Sequence, residues 1–422
     1  MSEIKRTDNF NIKFTPPSSL PDKKSNEVLP HTVPQDKAEV AGKKDWTVLV
    51  YFDGQNDLRK YAVKNMLDME KVGSTDKVNL VSQFDTGLRG TRGLPAGASR
   101  FYVTKGGGER ITSKPLENLG QVDSASPKIL KDFLAWGMKK FPARNYLVIV
   151  NDHGGGALGA ITDRGEESDG QYMPLPPMAK AVRDAEAEAG VNKNNVMAGF
   201  DACMMSAAEV GAEFKGAAKY ILGSEDSLGE NGFSYDDIAK KLNSTGTDVK
   251  DPLRDAGEYI VKNQPLDSYN TVTLSLIDEK AAGRLTHAVG ELSKAILNNT
   301  EDLKVLKETI RKSQRLDQVE NGKVYVNFRD LADISKNIAK NSNVKDEKIK
   351  EAAARVEKAV IDAVIYERHE GQNLDEVHGM NIYAPLTEKG LHPRGYESFK
   401  PSALEFEKES SWFKALKRVI ES

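Results

Sequence analysis

Short apolar runs at 46–52, 78–84, 146–151, 196–200 and 219–223 alternate with amphipathic helical patterns at 58–72, 126–140, 176–189 and 204–217. Apolar runs of this length, separated by helices, are the sequence form of a parallel sheet. Parallel neighbours need a crossover between them, and crossover helices cover both faces of the strands. The pattern therefore predicts an α/β fold, a mostly parallel sheet sandwiched by helices. Reactive side chains in such sheets gather at the carboxyl ends of the strands. Two of the runs end in chemistry: Tyr146 to Asp152 leads into His153, and Val196 to Ala202 leads into Cys203.

Cys203 is the one cysteine of the 422 residues. A free cysteine is commonly a small buried hydrophobe, so the residue alone does not define a nucleophile. Paired with a histidine it does more. Caspases carry their histidine about 50 residues before the cysteine, and the same interval separates positions 153 and 203 here. The caspase signature itself is absent, because Asp201-Ala202-Cys203-Met204 has neither the Gln before Ala nor the Gly two places after Cys. A free thiol of pKa about 8.5 is only a few per cent thiolate at neutral pH, and a neighbouring imidazole makes it competent. The helical pattern from 204 places Cys203 at a helix start, where the dipole would favour an anion. Gly154, Gly155 and Gly156 follow the histidine and, lacking Cβ, allow close backbone approach to a substrate carbonyl; a plain turn is the other reading. Asp201 sits two residues before Cys203, so in an extended strand the two side chains point the same way. It reads either as a partner of that site or as a cap for the following helix.

Other chemistries are disfavoured. His31, His287, His369, His378 and His392 have no metal-ligand spacing, and no Cys-x-x-Cys or His-Glu-x-x-His is present, so no zinc site is expected. Gly106-Gly107-Gly108 lacks the Gly-Lys-Ser/Thr ending of a phosphate loop. With 60 Lys+Arg against 63 Asp+Glu, interspersed, the net charge of -3 implies no nucleic-acid partner. The longest apolar runs fall far short of the roughly 20 residues that span a bilayer, so no membrane span is expected. No apolar stretch follows Met1-Ser2-Glu3-Ile4-Lys5-Arg6, which reads as no signal peptide and a cytoplasmic default. Residues 1–44, rich in Pro, Ser and Lys, read as a disordered tail, or as a tether left after an export signal was removed. Residues 45–245 form the expected catalytic core. Residues 246–422 read as a mostly helical region completing the sheet, with a strand at Val272 to Ile277, helices at 279–297, 301–314 and 345–368, and a last short strand in His378 to Pro385.

Ordered blocks across residues 45–240 resemble the clostripain-like cysteine peptidases, which share the caspase-like fold with gingipains, legumains and separases. The blocks are Trp46 to Phe52 with Asp53-Gly54-Gln55-Asn56-Asp57-Leu58, then Asn118-Leu119-Gly120 through Trp136, Pro142 to the His153 strand, Asp201 to Met204, Ser224-Glu225-Asp226, and Gly232-Phe233-Ser234-Tyr235. The chain departs from the family at Ala157, where a Trp often stands near the histidine. The resemblance implies a cysteine endopeptidase acting as a monomer on proteins or peptides, cutting after Arg, with Lys as a second option. It implies catalytic His153 and Cys203, an oxyanion hole from the amides of Gly154 and Cys203, and Asp201 in the S1 pocket; Glu225 and Asp226, placed just after the next strand, are candidates for the pocket rim. It further implies self-processing in the polar stretch Thr162 to Gln171, where Arg164 is the basic residue, and calcium as the one cofactor to consider, with Glu166, Glu167 and Asp169 as candidate ligands. A Cys-dependent amidase or acyltransferase, and an inactive caspase-like binding scaffold, are the competing readings.

Overall fold

A computed structural model describes residues 42–164, 171–246, 249–268, 270–316, 319–320, 323–324, 327–393 and 397–422. All belong to one compact unit, Gly42–Ser422. Its centre is a nine-stranded sheet. In chain order the strands are β1 Lys44–Asp53, β2 Val78–Asp85, β3 Ala98–Tyr102, β4 Pro115–Gly120, β5 Ala143–Asn151, β6 Val196–Asp201, β7 Tyr220–Gly223, β8 Val272–Asp278 and β9 Val364–Glu370. Across the sheet they lie in the order β9-β8-β7-β6-β5-β1-β2-β3-β4. The five central strands are parallel, and two antiparallel strands close each side.

Alternation along β1 explains why its apolar run is continuous. Trp46, Val48, Val50 and Phe52 join one core with helices α1 Arg59–Val72, α5 Tyr235–Ser244 and α6 Pro252–Asn263. Leu49 and Tyr51 face the other core, built with α2 Pro127–Lys140, α3 Leu175–Ala189, α4 Ala208–Glu213, α7 Glu279–Asn298, α8 Leu303–Lys312, α9 Leu331–Lys340 and α10 Glu347–Ala363. A period of two with both faces covered leaves every position from Trp46 to Asp53 buried.

Two expectations are corrected. The helix expected through 368 stops at Ala363, and Val364–Glu370 instead pairs antiparallel with Val272–Asp278. The Val-Ile-Tyr start of that segment suits a pleated edge better than a helix end. The helix expected from 204 begins only at Ala208 and is six residues long. Met204 adopts a positive φ of 63°, and its amide donates to the Asp226 carbonyl at 3.0 Å while Ser206 donates to Ser224 at 2.8 Å. Those bonds draw residues 202–206 into a turn. Cys203 therefore does not open a helix, and the dipole contribution expected for its thiol is withdrawn. Asp201 likewise caps no helix.

Candidate active site

Strand register brings the two reactive residues together. Asn151 at the end of β5 pairs with Asp201 at the end of the neighbouring parallel strand β6, so His153 and Cys203 each lie two residues past one paired position. The loops then meet at Gly154. A Cβ there would stand 2.4 Å from the Cys203 carbonyl oxygen and 2.9 Å from the Ala202 methyl, so only glycine lets the His loop lie this close to the Cys loop. The His loop folds back on itself: Ile161 donates to the His153 carbonyl at 3.0 Å and Gly155 to Gly159 at 2.9 Å. Gly154→Ala is expected to lower kcat/KM by about 100-fold, because a sub-ångström to 1 Å displacement of a catalytic group costs that much. Steady-state kinetics on the variant, alongside its melting temperature, checks this.

The Cys loop is braced from behind. Asn381, in the short strand Asn381–Tyr383, donates through Nδ2 to the Met204 carbonyl at 3.2 Å and the Glu225 carbonyl at 2.7 Å, and its amide donates to Ser206 at 2.9 Å. The sequence marked the block His378 to Pro385 without revealing that Asn381 props the nucleophile turn; its only signal was an Asn inside an otherwise apolar run. In front, the half-buried Cys203 thiol accepts the Leu228 N–H at 3.3 Å.

Asp201 is buried beside this turn. Oδ1 accepts the Phe233 N–H at 3.0 Å, and Oδ2 accepts from the Tyr235 hydroxyl at 2.7 Å and from Asn151 Nδ2. Burial raises its carboxyl to about 6, against the pull of these donors. A carboxylate has about four acceptor positions, so three bonds leave one on Oδ1. Glu225 sits elsewhere than the expected rim. It is fully buried, with Oε2 accepting the Gly379 N–H at 2.6 Å, and burial together with the neighbouring Asp330 pushes its carboxyl well above the usual range. Asp226 contributes its backbone carbonyl to the Met204 amide, while its side chain accepts from Ser227 at 2.7 Å.

The loop after β1 reaches the histidine. His153 Nε2 lies 3.1 Å from Asp57 Oδ1, and the Arg164 guanidinium lies 3.2 Å from the same oxygen. Residues 165–170, including Glu166, Glu167 and Asp169, fall outside the described residues.

Comparison with known proteins adds the family. The model of the clostripain family matches residues 50–418. The chain belongs to the clostripain family of cysteine peptidases. Clostripain of Hathewaya histolytica is 23% identical over 413 residues, covering 81% of this chain and 75% of that protein. An inactive zymogen C11 protease from Parabacteroides distasonis superposes with a TM-score of 0.63 at 21% identity, covering 87% of this chain and 99% of that one. A secreted C11 cysteine protease from Bacteroides thetaiotaomicron, in complex with an irreversible peptide inhibitor, gives 0.60 at 18% identity, covering 89% and 99%. These likenesses establish the mostly parallel, helix-flanked fold of this clostripain-family peptidase.

Among the described residues, Asp53, Asp85 and Asp163 each bring one carboxylate oxygen to within 4.8 Å of the others. Calcium takes six to eight oxygens. Here Asp53 Oδ1, both oxygens of Asp85 and both of Asp163 already accept hydrogen bonds from Gln55, Gly87 and Ser124. Burial and the charges of Asp152, Asp163 and Asp85 raise the Asp53 carboxyl well above its ordinary value. The peptidase thus holds a proton here to higher pH than an exposed carboxyl would, while Asp53 Oδ2 is buried with no hydrogen-bond partner among the described residues. The wide cavities, ≈ 540 Å³ between Gly90 and Pro115 and ≈ 680 Å³ between Lys304 and Asn343, are lined by none of His153, Cys203, Asp201 or Asp57.

Proposed function

We propose that this peptidase hydrolyses peptide bonds after Arg, and Lys with lower efficiency, using Cys203 as nucleophile and His153 as its acid-base partner. The observation that carries the reading is the Asn151–Asp201 register, which sets His153 and Cys203 equally far beyond two adjacent strands with a buried carboxylate at their base. In the reaction the Cys203 thiolate adds to the scissile carbonyl. The amides of Gly154 and Cys203 are assigned to the developing oxyanion, where one donor is typically worth about 2.7–4 kcal/mol. The imidazolium of His153 then protonates the leaving amine as the C–N bond breaks, leaving a thioester that water hydrolyses with His153 as base.

Asp201 is assigned to the P1 side chain. Its remaining Oδ1 position suits one N–H of a guanidinium, and a buried carboxylate with no ion pair among the described residues gains most from receiving one. A lysine ammonium offers a point charge in place of the planar fork, hence the weaker second substrate. Arg164 fits a self-processing site, because its guanidinium already lies at the Asp57–His153 pair; the inactive zymogen form of the Parabacteroides distasonis relative is in keeping with this. Fluorogenic peptides differing only at P1 test the reading. The expected order of kcat/KM is Arg, then Lys, then neutral residues, with at least about a 100-fold gap between Arg and a neutral residue. Equal rates across P1 would overturn the pocket assignment and favour a small-amide amidase.

A further inference from the structure

We infer that Asp57 is a positioning residue for His153, holding the imidazole through Nε2 so that Nδ1 is the nitrogen presented to the Cys203 thiol and the leaving amine. The inference rests on the dyad reading above.

The geometry has three parts. First, Asp57 Oδ1 lies 3.1 Å from His153 Nε2, a distance at which an acceptor-only carboxylate fixes the proton on that nitrogen. With Nε2 committed, Nδ1 is the ring atom left for chemistry. Second, the loop that delivers Asp57 is pinned just before it to the segment bearing the histidine, and closed on itself just after it. Asn56 Nδ2 donates to Asp152 Oδ1 at 2.6 Å and to the Thr162 carbonyl at 3.3 Å, and Asn56 Oδ1 accepts the Leu58 N–H at 2.9 Å. Gln55 Nε2 donates to Asp163 Oδ1 at 2.7 Å. Asp152 precedes His153 directly, so the acceptor and the ring it orients are tied to one frame. Third, the His153 carboxylate partner is charged. The hydrogen bond and charge of His153, with that of Arg164, hold the Asp57 carboxyl below its usual value against the opposing effect of partial burial.

Asp57 is 58% exposed, so solvent weakens the pair and it contributes little to stability. Orientation needs less. Shifting the ring between its two tautomers by a factor of ten takes only about 1.4 kcal/mol. Among the described residues, the charged groups acting on His153 are Asp57 and Asp152, with Arg164 acting on it through Asp57. Arg164 shares the oxygen that His153 uses, so the uncut chain divides Asp57 Oδ1 between the imidazole and a guanidinium.

Asp57→Ala and Asp57→Asn are measured in the full chain, with long-range ¹⁵N correlation of the His153 ring and with hydrolysis of an Arg-P1 peptide. Expected are an Nε2–H tautomer in the wild type, a mixed tautomer in Asp57→Ala, and a kcat about 10-fold lower with KM within twofold. Asp57→Asn, which keeps an acceptor and loses the charge, falls between. An unchanged tautomer and kcat in Asp57→Ala overturns the inference, as does a joint loss of kcat, KM and melting temperature, which would mark a structural residue. Iodoacetamide alkylation of Cys203, which makes no demand on P1, separates this outcome from failure of the Arg-specific reading. If wild type cleaves no Arg peptide, a roughly 10-fold slower alkylation in Asp57→Ala still supports the positioning role, and equal alkylation rates still contradict it.

Discussion

Cys203→Ala is expected to abolish peptide hydrolysis, by at least about 10⁴-fold in kcat, the scale on which removal of a covalent nucleophile falls. The fold should tolerate the change. The thiol is half-buried and its bonds to Leu228, acceptance of the N–H at 3.3 Å and a long donation to the carbonyl at 3.8 Å, are weak sulfur contacts, so their loss costs about 1 kcal/mol. The backbone bonds that shape the turn, Met204 to Asp226 and Ser206 to Ser224, do not involve the side chain. The variant should also remain a single chain wherever the wild type is cut after Arg164. Residual turnover above about 1% of wild type, with the same P1 preference, would remove Cys203 from the chemistry.

Asp201→Asn is expected to lower kcat/KM on an Arg-P1 peptide by about 100-fold while changing a neutral-P1 peptide by a few-fold, since the lost charge is the partner of a buried guanidinium. The amide also inserts a donor where Asn151, Tyr235 and the Phe233 amide all donate. That mismatch costs about 1–3 kcal/mol of stability, visible as a lower melting temperature but equal for both substrates. A pH series adds a second signature. Burial raises Asp201 to about 6, so the carboxyl is charged above that value and neutral below it. Wild-type kcat/KM for the Arg peptide should therefore fall as pH drops through about 6, and Asp201→Asn should lack that limb. The same linkage makes Asp201 a stabilising group at low pH whose contribution fades as pH rises from the ordinary Asp value through about 6. Equal losses on both peptides would make Asp201 a brace for the Phe233–Tyr235 turn and nothing more.

How much was legible follows from the physics of each signal. The five parallel strands were readable because strands covered on both faces must be continuously apolar, and their ends located His153 and Cys203 to the residue. The edge strands were not. Pro115–Gly120 alternates exposed and half-buried positions, which carries no apolar run, and Val364–Glu370 continues a helical pattern without a break. The turn after Cys203 was misread as helix because Met204, Met205, Ala207 and Ala208 have helical composition; tertiary bonds to Ser224 and Asp226 override it. Glu225 looked like a pocket residue from its place after a strand, yet its side chain turns toward Gly379, a partner 154 positions away. Asp57 was visible only as part of a motif. Its proximity to His153 depends on how Asn56 and Gln55 dock on Asp152 and Asp163, information held in side-chain pairs about 100 residues apart.

The most direct measurement is labelling of the purified full chain with an acyloxymethyl ketone carrying Arg at P1, beside its neutral-P1 analogue, followed by intact mass and peptide mapping. A single adduct on Cys203, formed much faster by the Arg reagent, abolished by Cys203→Ala and slowed by Asp201→Asn, is the predicted result. An adduct on any other residue, or equal labelling by both reagents, would contradict a Cys203 nucleophile beside an acidic P1 pocket.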